Sequence, residues 1–183
     1  LRNGKATPKQ IQQVKTWTEA ATAENPAALS MQLNLAELYA HQNDYPKAEV
    51  IYREVLKRDP KNPVALNNLA WMLATKPTDA DPALLLADRA IELYGATGEL
   101  LDTRARILIS AGKYDQALAD LNTALQQGQT PLRYFHLALA QWQMSKKPEA
   151  RKSFQEALTR GLTEKAIHPN DVSYYKTLAQ AVE

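Results

Sequence analysis

The side chains that could take part in catalysis or metal binding are few and lie far apart along the chain. The three histidines are His41, His136 and His168, and no two of them share the i, i+4 spacing of a helical metal site. Asp79 and Asp81 lack the glycine and the distal glutamate of a calcium-binding loop. No glycine-rich phosphate loop and no serine flanked by two glycines is present. The sequence therefore predicts a protein that is not an enzyme and that uses no catalytic residue, metal or cofactor.

Two charged residues, Asp102 and Arg106, stand four positions apart. On a helix this spacing favours a surface ion pair worth about 0.3 kcal/mol. Alternatively, Arg106 faces a binding surface, where a guanidinium group holds a carboxylate through two hydrogen bonds. The spacing is compatible with both interpretations.

The composition excludes several classes of partner. The chain has a formal net charge of +2, too small for the basic footprint of a nucleic-acid-binding protein. No stretch approaches the roughly 18 apolar residues of a membrane span, so no membrane insertion is expected. There is no cysteine, which excludes disulfides and thiolate sites but does not separate the cytoplasm from the periplasm.

Several columns of residues recur at intervals of 33 to 35 positions, which indicates an internal repeat. The clearest columns are Ala36, Ala70, Ala105 and Ala138, and Ala48, Ala83, Ala117 and Ala150. Small residues at these positions allow two helix backbones to approach closely. Tyr39 and Tyr52 are expected to fill the neighbouring space.

Each repeat reads as a helix, a short turn and a second helix. In the first repeat, Leu35, Leu38 and Tyr39 share one helical face, and a polar break follows at residues 42–44. A second apolar stripe then continues to Asp59-Pro60, where proline ends the helix. One such hairpin cannot bury its apolar face alone, so neighbouring hairpins must stack.

Residues 35–39, 43–48, 52–56 and 59–60, with their counterparts in the later repeats, resemble a tetratricopeptide repeat. The resemblance implies an all-α, right-handed superhelical solenoid of antiparallel helix hairpins. It divides the chain into an N-terminal helix at 1–28, four repeats at 29–62, 63–97, 98–130 and 131–163, and a C-terminal capping helix at 164–183. The second repeat is expected to have an extended inter-helix loop at 76–82. Arg104, in place of leucine, and Ser145, in place of glycine, predict local irregularities.

The two ends of the chain carry helices of their own. Thr7-Pro8 predicts a helix start, and the helix that follows resembles the second helix of a repeat. We therefore expect that a larger array was truncated at this end. Near the C-terminus, residues 170–182 carry an apolar stripe that is expected to cover the last repeat.

The resemblance further implies that the first helix of each repeat lines a concave groove. The groove residues that it predicts are Asn34, Glu37, His41, Asn67, Asn68, Trp71, Asp102, Arg106, Phe135, His136, Leu139 and Trp142. The two asparagines would either bind a peptide backbone, or serve as local caps or simply face solvent. Phe135 and Leu139 would anchor partner side chains, whereas Trp142 would either join them or pack under the C-terminal helix.

These features predict a protein-interaction scaffold that binds a peptide or a partner protein in the groove. One alternative is a homo-oligomerisation module, in which exposed helices pair two chains as a homodimer. Another is a regulatory array of a larger enzyme or of a secretion or assembly complex. The stretch from Leu66 to Trp71 is similar to bacterial members of the family.

Overall fold

The computed structural model describes residues 8–25, 28–74 and 80–182 of the 183-residue chain. Within these ranges the regular structure is entirely helical, with ten α-helices and no strand. Consecutive helices pack as antiparallel hairpins, which confirms the predicted all-α class. The helices are α1 (Pro8–Glu24), α2 (Leu29–His41), α3 (Tyr45–Arg58), α4 (Pro63–Leu73), α5 (Ala80–Tyr94), α6 (Gly98–Ser110), α7 (Tyr114–Gln127), α8 (Pro131–Gln143), α9 (Lys147–Thr159) and α10 (Val172–Val182).

The chain divides into two compact units, Leu1–Leu69 and Ala70–Glu183. In the first unit α2 packs against both α1 and α3. The alanines Ala36 and Ala48 are completely buried, and Tyr39 and Tyr52 are buried with them. The small alanine side chains at these repeated positions are therefore buried where paired helices pack closely, as expected from their size.

The second unit is built from two hairpins, α6 with α7 and α8 with α9, and α5 packs on α6. Its column alanines are completely buried. Thr97 and Thr130 begin α6 and α8 as N-caps, because their hydroxyls accept hydrogen bonds from the backbone N–H of Leu100 and Arg133. The first helices of the third and fourth repeats therefore begin with the same threonine N-cap.

Three inter-helix turns share one backbone geometry. Asn43, Gly112 and Ser145 have φ values of 60°, 72° and 61°. The next residue of each turn donates a backbone hydrogen bond of 2.8–2.9 Å to the carbonyl five positions earlier. Ser145 therefore takes the same left-handed backbone conformation as Gly112, which is uncommon for a residue with a side chain. The predicted loop at 76–82 falls largely on residues 75–79, which lie outside the described residues, as does Thr7.

The C-terminal segment returns over α8 and α9. After α9 the chain forms two short 3-10 turns, Glu164–Ala166 and Pro169–Asp171, and then α10. Leu162, Ile167 and Leu178 are buried in one apolar cluster with Phe135 and Phe154. The segment therefore covers the apolar side of the last hairpin.

Candidate functional site

In the first unit, the predicted groove residues of α2 form one exposed row. Asn34, Glu37 and His41 are all exposed, and they follow one another at helical spacing on the side opposite the buried Leu35 and Tyr39. None of the three makes a hydrogen bond or an ion pair with the part of the chain that the structure describes. The row thus presents an amide, a carboxylate and an imidazole to solvent.

Helix α2 is held in place by polar contacts as well as apolar ones. The hydroxyl of Tyr39 donates a 2.6 Å hydrogen bond to Glu19 of α1. This bond and burial raise the pKa of Tyr39 to about 12. The ammonium groups of Lys15 and Lys47 lie 5.0 and 5.2 Å from the centre of the same ring. These contacts fix the face of α2 that points outward.

The two asparagines of α4 are placed differently from each other. The side-chain amide of Asn68 donates a 3.0 Å hydrogen bond to the hydroxyl of Tyr52. Burial raises the pKa of Tyr52 to about 12, although this hydrogen bond opposes the shift. Asn67 is only 9% exposed. The side-chain amide of Asn68 is therefore engaged in a hydrogen bond within the fold, rather than open to a peptide.

In the second unit, Arg106 and Asp102 do not pair with each other, so the predicted i, i+4 ion pair is wrong. The Nε atom of Arg106 lies 2.8 Å from one carboxylate oxygen of Asp171, and its Nη2 donates to the other oxygen. Asp102 instead lies 2.7 Å from Nδ1 of His136. A bidentate geometry between buried groups is stronger than the single exposed contact that the helix spacing offers.

The segment that supplies Asp171 also covers Trp71. The ring of His168 meets the ring of Trp71 edge to face, with the centroids 4.9 Å apart. Burial lowers the pKa of His168. The chain's own C-terminal segment therefore contacts both Trp71 and Arg106, through His168 and Asp171.

Phe135 and Leu139 lie inside the core, with 0% and 1% of their surface exposed. They are therefore not anchors on an open surface. Tyr175 of α10 packs against Phe135, whereas Leu139 is buried in a second cluster with Ile109 and Leu121 of α6 and α7. Trp142 is half-buried beside the cluster that includes Leu178, and Lys147 lies 5.6 Å from its ring centre. This position matches the interpretation in which Trp142 packs under the C-terminal helix.

A cleft of about 330 Å³ remains open at the edge of the covered face. Its walls come from α6, α7, α8 and the C-terminal segment. The lining residues are Arg106, Ile109, Ser110, Tyr114, Leu139, Gln143, Asn170, Asp171 and Tyr174. Sequence reasoning missed Gln143, Asn170 and Tyr174, because no repeat position marks the return of the C-terminal segment.

The described ranges contain no group of three or more histidine, aspartate or glutamate residues able to hold a metal ion. None of the helices in these ranges has the length and apolar character needed to cross a membrane.

A tetratricopeptide repeat model matches residues 15–63 and 103–171, together more than half of the chain. The chain belongs to the tetratricopeptide repeat family. Repeats of this kind generally form non-catalytic scaffolds for protein–protein interaction. The two matched ranges cover the helix row on α2 and the Arg106–Asp171 pair.

Solved structures of other tetratricopeptide repeat proteins share this fold. A thermophilic protein of Thermus thermophilus is 20% identical over 95% of this chain and 91% of its own, with a TM-score of 0.75. PilW, a type IV pilus biogenesis factor, is also 20% identical, over 95% of this chain and 82% of its own, with a TM-score of 0.74. Yeast Tom70 is 21% identical over 94% of this chain and 37% of its own, with a TM-score of 0.62. A search of curated protein sequences found no significant match.

Proposed function

We propose that this protein is a non-catalytic scaffold that binds a partner protein or peptide through the exposed row on α2. The observation that carries the proposal is the contrast between the two faces of this helix. Leu35, Ala36 and Tyr39 are buried, whereas Asn34, Glu37 and His41 are exposed and make no hydrogen bond or ion pair within the described residues.

The chemistry of the row suits a polypeptide. The amide of Asn34 offers both donors and an acceptor, so it can pair with a peptide group. Glu37 and His41 add one acceptor group and one ring that is a donor or an acceptor according to its tautomer. Because the row is rigidly mounted on a packed helix, little side-chain and backbone entropy beyond these three residues is lost on binding.

The corresponding face of the second unit is not proposed as an open groove. Phe135 and Leu139 are in the core, and Arg106 already holds Asp171. Tyr175 of α10 packs against Phe135, so a partner would have to displace the C-terminal segment to reach that side chain. The α2 row requires no such displacement.

The test is affinity capture of partners from extracts of the native organism with three forms of the chain. The row variant carries Asn34→Ala, Glu37→Ala and His41→Ala. The matched control carries three alanines on the exposed side of α3, at Arg53, Glu54 and Lys57. We expect the wild type and the control to retain the same partner and the row variant to lose it. Equal capture by the row variant and the wild type would show that the α2 row is not the binding surface.

Self-association is a second candidate function, favoured by one observation. On α1, Val14 and Trp17 are 47% and 64% exposed. These two large apolar side chains lie one turn apart on the helix and together form an exposed apolar surface that a second copy of the chain would cover.

A further inference from the structure

The start of α9 carries four exposed positive charges, which together are called the basic row. They occupy about 9 Å of helix, which is about one Debye length at physiological ionic strength. The four charges therefore act on a partner as one electrostatic field. The basic row consists of Lys146, Lys147, Arg151 and Lys152.

No member of the basic row forms an ion pair within the described residues, although carboxylates stand at suitable helical spacing. Glu149 is three residues before Lys152, and Glu156 is four residues after it. Glu156 is instead paired with Arg160, whose Nη2 lies 3.3 Å from a carboxylate oxygen. The charge of the basic row therefore remains available to a group outside the chain.

The packing of the repeat does not require these cations. Helix α7 pairs with α6 as α9 pairs with α8, yet three of its four corresponding residues are uncharged. The four residues of α7 are Lys113, Tyr114, Leu118 and Ala119. Cations are disfavoured at the positive end of a helix dipole, and Lys147 and Arg151 repel each other at i, i+4. The basic row therefore opposes the stability of its own helix, which indicates a role outside the fold.

The surroundings of the basic row favour a lipid surface over a protein partner. A stable protein interface generally has aromatic or apolar anchors at its centre. Among the described residues, the large apolar side chains that are exposed lie on other helices, and none is on α7, α8 or α9. Trp142, the aromatic residue next to the basic row, is half-buried against the core. Adsorption on an anionic lipid surface needs no apolar anchor, because it depends on the summed attraction of several Lys and Arg side chains.

We propose that the basic row binds the surface of a membrane that contains anionic lipids. Lys147, Arg151 and Lys152 contact the phosphate groups of the lipid headgroups. The opposite side of α9 is packed on α8, so the helix lies at the surface and does not enter the lipid core. The inference goes beyond the scaffold function, since it concerns where the protein is held rather than which partner it holds.

The test is cosedimentation of the full chain with vesicles of phosphatidylcholine, either alone or mixed at about 2:1 with anionic phosphatidylglycerol. Each Lys or Arg near an anionic surface strengthens adsorption about fivefold. Four cations, less the repulsion from Glu149, predict half-maximal binding at about 1–10 mM accessible anionic vesicle lipid. We expect no binding to the neutral vesicles, and loss of binding to the anionic ones at about 0.5 M salt, where the charges are screened.

Two variants with the same net charge assign the binding to the basic row. Replacing all four of its cations with glutamine should weaken binding to the anionic vesicles at least about fiftyfold. The control removes four exposed cations from α3 and α5 and should bind within about twofold of the wild type, because these charges lie outside the basic row. The control carries Lys47→Gln, Arg53→Gln, Lys57→Gln and Arg89→Gln.

Thermal unfolding separates a binding role of the basic row from a structural one. The variant without the four cations should melt no lower than the wild type, because the repulsion within α9 is removed. The proposal is overturned if the wild type does not bind the anionic vesicles, if the variant of the basic row binds them as well as the control does, or if that variant melts below the wild type.

Other polyanions are the remaining alternative. Hexaglutamate and a single-stranded oligonucleotide are therefore titrated at the same concentration of negative charge as the anionic vesicles. Tighter binding of either one would assign the basic row to an acidic polypeptide or a nucleic acid and would also overturn the proposal. None of these measurements uses a captured partner, so their failure is distinguishable from a failure of the scaffold function.

Discussion

Arg106 is a buried cation, and within the described residues its ion pair is with one carboxylate, that of Asp171. Removing one partner of such a pair leaves an uncompensated buried charge. We therefore expect Asp171→Ala to lower the free energy of unfolding by about 3–5 kcal/mol, measured by urea denaturation. The control is Asp88→Ala, which removes an exposed carboxylate from the Arg104 pair and should cost less than about 1 kcal/mol.

Replacing both members of the buried pair separates the cost of an orphaned charge from the value of the contact. The double variant Arg106→Met and Asp171→Leu fills the same space with apolar atoms and should recover most of the loss. If Asp171→Ala costs no more than Asp88→Ala, the ion pair does not hold the C-terminal segment on α6.

At the scale of the helical element, the three turns at Asn43, Gly112 and Ser145 use one left-handed residue each. A residue with a Cβ atom is strained by about 1–2 kcal/mol in this conformation, and glycine is not. We expect Ser145→Gly to raise the free energy of unfolding by about 0.5–1 kcal/mol, reduced from the full strain by the greater freedom of glycine in the unfolded chain. Gly112→Ser should lower it by a similar amount, and thermal unfolding measures both.

The position Gly112 provides a clean comparison, because, apart from its chain neighbours, no heavy atom of the described residues lies within 4 Å of a Cβ atom built on it. The effect of Gly112→Ser is thus a backbone effect without a steric clash. We therefore expect the changes in the free energy of unfolding of Ser145→Gly and Gly112→Ser to have opposite signs. A loss of stability in Ser145→Gly would mean that the serine side chain contributes more than its backbone strain costs.

Helices and turns could be predicted from the sequence because they depend on residues that are close together or one repeat apart. The columns of alanine fixed the hairpins, and every column alanine of α3, α5, α7 and α9 is completely buried. The pairing of Asp102 with His136 also had a signal in the repeat. The 33-residue step between Ala105 and Ala138 places Asp102 in register with Phe135, the neighbour of His136.

The partners of Arg106 could not be predicted in the same way. Arg106 and Asp171 are 65 residues apart, and Asp171 lies beyond the last repeat, where the periodicity gives no register. The sequence therefore placed Phe135 and Leu139 on a face open to partners, although the C-terminal segment packs over that face. Arg104, expected as an irregularity, pairs with Asp120 and Asp88 on the neighbouring helices α7 and α5.

At the scale of the whole molecule, the exposed apolar residues of α1 form a candidate contact surface between two copies of the protein. Val14 stands in the column of Ala48, Ala83, Ala117 and Ala150, 34 residues before the first of them. All four alanines are completely buried, whereas Val14 is 47% exposed. The helices that carry Ala48, Ala117 and Ala150 each pack against the helix before them, and the described residues contain no helix before α1.

We expect that two copies cover this surface mutually, so that the apparent mass in light scattering rises with protein concentration. Val14→Gln combined with Trp17→Gln should abolish the rise, because it replaces the apolar contact with amides that remain solvated. The same double variant should change the free energy of unfolding of the monomer by less than about 1 kcal/mol, since both side chains are exposed. Val50→Gln is the matched control: Val50 is 62% exposed on α3 and lies outside the α1 row, so its replacement should leave the association intact. A constant monomer mass for the wild type would remove self-association through α1, and a loss of association in Val50→Gln would move the contact to α3.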